Sequence, residues 1–92
     1  MLTFSVSCNA SDSCLVTGSG LAKSASYQLE VTDSCGALLH SGAVNTSGTG
    51  TLDYTVVAGE SAGCSVTGWT FSLFTIGRKP SQVATYLASD PD

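Results

Sequence analysis

Seven short runs in which apolar and polar residues alternate decide what this 92-residue chain can fold into. Leu2, Phe4, Val6 and Cys8 alternate with Thr3, Ser5 and Ser7, and Tyr27, Leu29 and Val31 alternate with Gln28, Glu30 and Thr32. Leu52, Tyr54 and Val56 flank Asp53 and Thr55, and Trp69, Phe71 and Leu73 flank Thr70 and Ser72. A period of two places one residue set on each face of an extended strand. Further strands are expected over 14–18, 37–44 and 83–88, and no helical periodicity is sustained for more than two turns. Polar or Gly-containing turns separate the runs, among them Asp33-Ser34-Cys35-Gly36, Asn45-Thr46-Ser47-Gly48 and Gly77-Arg78-Lys79-Pro80. Phe74 and Ile76 fall out of phase with Trp69, Phe71 and Leu73. They predict a bulge or a second covered face in the sixth strand.

Seven short strands with turns about every 8–12 residues describe an all-β sandwich. The length fits a single domain over 1–92, with a core small enough that crosslinks or burial against neighbouring chains would help it. Charged residues make up only 11% of the chain, and Ser, Thr and Gly carry much of its polar surface. The formal charge of −4 argues against a nucleic-acid binder and against a polybasic membrane anchor. No apolar run approaches the roughly 18 residues of a spanning helix. Met1-Leu2-Thr3-Phe4 lacks the basic and apolar regions of a signal peptide. The chain is therefore expected either to be made and used without Sec export or to be a segment of a longer protein.

Four cysteines, Cys8, Cys14, Cys35 and Cys64, fall where strand patterns give way to turns. If the strands run up and down in chain order, the turns after the first, third and fifth strands share one end. All four cysteines then gather there with Asp12, Asp33, Glu60 and the acidic C-terminal residues. Lys23, Arg78 and Lys79 fall at the opposite end, beside the N-terminus. Two disulfides are the preferred reading, as Cys8 to Cys14 and Cys35 to Cys64, out of the three pairings that four cysteines allow. A zinc site of four thiolates needs the same convergence but has no C-x-x-C knuckle to support it. Reduced thiols are expected if the protein stays in a reducing compartment.

The segments Val16-Thr17-Gly18-Ser19-Gly20-Leu21, Tyr27 to Val31, Ser47-Gly48-Thr49 and Trp69-Thr70-Phe71-Ser72-Leu73 resemble bacterial and phage immunoglobulin-like domains. The resemblance implies a seven-stranded immunoglobulin-like Greek-key β-sandwich. It does not carry over the antibody core disulfide, because no cysteine pair sits mid-strand to bridge two sheets across a Trp. It implies a non-enzymatic structural or binding module, most simply a bacteriophage virion protein that decorates a capsid or forms part of a tail. The alternative is an adhesion or spacer domain of a bacterial surface protein, located outside the cell. The expected partner is a protein lattice, with self-association into a homo-oligomer also expected to be open to it; no nucleic acid, membrane or cofactor is expected.

The candidate binding residues are Lys23, Arg78 and Lys79 at the cationic end and Phe74 and Ile76 on the second face. Against each stands a plainer reading: a solvated hairpin tip for the cations, a twisted core position for Phe74 and Ile76. Catalysis has little to stand on. His40 is the lone histidine and lies in an apolar stretch, and no Gly-x-Ser-x-Gly elbow accompanies the serines. Asn9-Ala10-Ser11 and Asn45-Thr46-Ser47 match the glycosylation sequon, which is incidental without export.

Overall fold

The computed structural model describes residues 1–9, 13–57 and 68–89. Among these the chain forms β1 (Thr3–Cys8), β2 (Ser13–Ser19), β3 (Ser26–Asp33), β4 (Leu38–Asn45), β5 (Leu52–Val57), β6 (Gly68–Thr75) and β7 (Gln82–Ser89). Each strand coincides with an alternating run of the sequence to within a residue or two. The strands make two antiparallel sheets in a sandwich-like arrangement, one ordered β1-β2-β5 and the other β4-β3-β6-β7. Across the sheets β1 packs against β7, and β4 more loosely against β5.

Alternation sets the core directly. Tyr27, Leu29 and Val31 of β3 and Trp69, Phe71 and Leu73 of β6 face inward from adjacent strands, all at most 8% exposed. They meet Val6, Cys14, Val16, Leu52 and Val56 from the other sheet. His40 also faces the interior, paired in register with Val31, and its ring lies 6.2 Å from that of Tyr54 on β5. The histidine thus fills the looser side of the sandwich, where β4 approaches β5.

The register also fixes the two ends. β1 and β2 pair so that Cys8 lies opposite Cys14, and Cys14 lies opposite Val56 near the end of β5. In the other sheet Asp33 lies opposite Trp69, and Gly68 opposite Ser89. At the other end the segment joining β2 to β3 bonds to the segment joining β4 to β5, through Leu21 N–H to the Gly50 carbonyl (3.1 Å) and Ser24 N–H to the Ser47 carbonyl (2.8 Å). The cysteine-bearing turn of β1 and β2 and the turn after β3 therefore share one end. The loops of Lys23 and of Arg78 and Lys79 share the other.

Two expectations need correction. The bulge is present, but its extra residue is on β7: Leu73 pairs with Ala84 and Phe74 with Gln82, which leaves Val83 unopposed. Phase in β6 is not broken, since Phe74 lies opposite Gln28 on the outward face, where Glu30 and Ser72 also pair. Asp33, read as part of an acidic surface, is 4% exposed and is used inside its own turn. Its carboxylate Oδ1 accepts the Cys35 and Ala37 N–H groups, each at 2.9 Å, and Gly36 follows with φ of 86°. An Asx-type turn of this kind consumes the charge in local geometry.

Candidate functional site

The cysteine end is a closed structural device. Cys8 and Cys14 form a disulfide across the β1–β2 hairpin. Cys14 is fully buried beneath it. That bond removes the four-thiolate zinc alternative. Cys35 is also disulfide-bonded; Cys64, Asp12 and Glu60 lie outside the described residues, so the Cys35 to Cys64 pairing does too.

The opposite end is braced largely by hydroxyl hydrogen bonds. Thr46, 8% exposed, donates its hydroxyl proton to the Ala22 carbonyl at 2.6 Å and accepts the Ala25 N–H at 2.8 Å. Its own N–H reaches the Ala25 carbonyl at 2.8 Å. Tyr27 adds its phenolic oxygen as acceptor for Ala22 N–H at 3.0 Å. Ser47 Oγ accepts the N–H groups of Thr49 and Thr51 and holds the neighbouring turn. Gly50 has φ of 79°, and a Cβ there would collide with the Leu21 carbonyl oxygen, so only glycine lets the two loops close this tightly. Lys23 projects from this braced loop and is exposed.

Beside it the β6–β7 connection is pinned by Thr75 N–H to the Ser81 carbonyl and Ser81 N–H to Thr75 Oγ1, both 2.9 Å. Between that connection and the outward face of β3 lies a groove of about 410 Å³, lined by Gln28, Glu30, Phe74, Thr75, Ile76, Gly77 and Pro80. Phe74 and Ile76 supply its apolar wall, and Ile76 is 55% exposed. Arg78 and Lys79, both exposed, lie in the chain between two lining residues, Gly77 and Pro80. Gln28 is held against β4 by donating its amide to Ser41 Oγ at 2.6 Å.

Of the sequence-derived binding residues, Phe74 and Ile76 therefore meet in one groove, with Arg78 and Lys79 in the bend that follows. Lys23 stays in a separate loop at the same end. Gln28, Glu30, Thr75 and Pro80 were not singled out as site residues, because only the β3–β6 register and the bend after β6 bring them together; alternation showed Gln28 and Glu30 as outward, and nothing more. His40 faces the core beside Tyr54 and not the groove. Among the described residues no three His, Cys, Asp or Glu side chains are grouped to hold a metal ion, and no helix is long and apolar enough to cross a membrane. Compared with known proteins, the chain matches no family model, no curated protein and no solved structure.

Proposed function

We propose that this protein is a non-enzymatic immunoglobulin-like module of a phage virion, docking on a capsid or tail lattice through the end that carries Arg78, Lys79 and the Phe74/Ile76 groove. The observation that carries the reading is the asymmetry of the domain. One end is stapled by Cys8–Cys14, while the other presents an exposed isoleucine, an aromatic ring and two cations on braced loops. Pre-ordered loops reduce the entropy lost on binding, and Arg pairs bidentately with carboxylates on an acidic surface. The strand order β1-β2-β5 over β4-β3-β6-β7 supports the immunoglobulin-like Greek-key assignment, since β2 lies beside β5 and β3 beside β6. Exposed hydroxyl pairs such as Thr3 with Ser19 and Ser5 with Thr17 give the three-stranded sheet a polar outer face, on which Asp53 also stands opposite Thr17.

The test is sedimentation with virions of the source organism. Wild-type protein pellets with the particles, and both F74S/I76S and R78S/K79S remain in the supernatant. Equal pelleting of wild type and both variants, or no association by wild type, overturns the proposal.

A further inference from the structure

The groove carries opposite charges at its two ends, and this specifies the partner more narrowly than docking alone. Glu30 pairs in register with Ser72, and Gln28 with Phe74, all on the outward face of the four-stranded sheet. Glu30 lines the groove at one end, Phe74 and Ile76 follow, and beyond them the chain bends at 77–79, which carries the exposed Arg78 and Lys79 next to the lining residues Gly77 and Pro80. The strand part of the groove, from Glu30 opposite Ser72 to Thr75, is about 10 Å long at about 3.3 Å per residue, the span of about three residues of extended chain, and the groove continues past Ile76 along the bend that follows. Its volume of about 410 Å³ falls within the range of ligand clefts. Among the described residues, Glu30, Arg78 and Lys79 are committed to no ion pair, so their charges are available to a partner.

Resting on the reading of this groove as the docking face, we infer that it recognises an extended protein segment of defined charge order. Carboxylates of that segment meet Arg78 and Lys79, an apolar side chain packs between Phe74, Ile76 and Pro80, and a Lys or Arg meets Glu30. A uniformly acidic segment is repelled at Glu30, and a uniformly basic one at Arg78 and Lys79. Glu30 is thus the residue that selects against simple acidic surfaces, which a cationic tip alone would accept.

Three synthetic heptapeptides with blocked ends test this on the full chain by NMR titration of backbone amides. The first is Lys-Thr-Thr-Leu-Thr-Asp-Asp, the second has Glu in place of its Lys, and the third has Lys-Lys in place of Asp-Asp. The expected result is that the first binds at least fivefold more tightly than either other peptide, with shifts concentrated at Gln28, Glu30 and 74–80. E30Q erases the preference over the acidic peptide, and E30K reverses it. Equal affinities for the three peptides, an unchanged ranking in E30K and E30Q, or shifts located away from the groove overturn the charge-order inference. F74S/I76S in the virion sedimentation assay separates the two failures. If that variant leaves the particles while the peptides are not discriminated, charge order alone fails; if it still pellets, the docking face itself is wrong.

Discussion

Replacing Thr46 by valine removes one hydroxyl and keeps the side-chain shape, which makes it a direct probe of how the cationic end is braced. The hydroxyl donates to the Ala22 carbonyl (2.6 Å) and accepts Ala25 N–H (2.8 Å). Ala22 is exposed, so its carbonyl turns to water at little cost, whereas Ala25 is partly buried and packs on the core. An unsatisfied buried donor costs about 1–3 kcal/mol, and an exchanged exposed hydrogen bond about 0.5 kcal/mol. The extra apolar methyl of valine offsets a few tenths, leaving a loss of about 2 kcal/mol from a stability on the order of 5–15 kcal/mol. With a urea m-value of about 1 kcal/mol/M for so small a chain, the midpoint falls by about 2 M. Thr46→Ser keeps both hydrogen bonds, loses one methyl and costs under about 1 kcal/mol. Urea unfolding followed by Trp69 fluorescence measures both variants, and amide hydrogen exchange reads Ala25 individually. A T46V protein as stable as T46S, with Ala25 exchange unchanged, refutes the brace.

Other perturbations test separate parts of the fold. Cys8→Ser with Cys14→Ser opens a cross-link of sequence separation 6; the chain-entropy relation puts the loss at about 2 kcal/mol, seen as a lower urea midpoint that reductant no longer affects at this bond. Gly50→Ala meets both a positive φ and the Leu21 carbonyl, so a loss of about 2 kcal/mol or more is expected in thermal unfolding, and a neutral result contradicts the loop packing. Phe71→Ala empties a fully buried site and costs about 3–5 kcal/mol, while Phe74→Ala on the outward face costs under about 1 kcal/mol. Comparable losses for the two contradict the β6 facing.

The strands and the core were legible because period-two alternation directly reports which side chains leave water: Leu29, Val31, Phe71 and Leu73 are buried where the pattern places them. Cys8–Cys14 was legible for a local reason, since a polar turn between two runs brings the strand ends together. What escaped depends on tertiary register. Glu30 and Phe74 sit 44 positions apart and become neighbours only when β3 and β6 align. The charge of Asp33 was misjudged because its carboxylate is consumed by the turn N–H groups, which composition does not reveal. The irregularity expected in β6 belongs to Val83 of β7, because an out-of-phase apolar residue does not show which strand of a pair carries the extra residue. Thr46 looked like an ordinary turn residue, and its bracing role needed the positions of Ala22 and Ala25.

If the end bearing the groove faces the partner, as proposed, the chain's own amines report it directly. Lys23 and Lys79 are its only lysines, and both lie at that end. Zero-length carbodiimide coupling of virions carrying the protein, followed by mass spectrometry of linked peptides, reports which side chains touch the lattice. Links from Lys79, with Lys23 as a second site, to Asp or Glu of the lattice protein are expected. Links formed instead between carboxylates of the disulfide-bearing end and lattice lysines, with Lys79 unlinked, contradict the proposal.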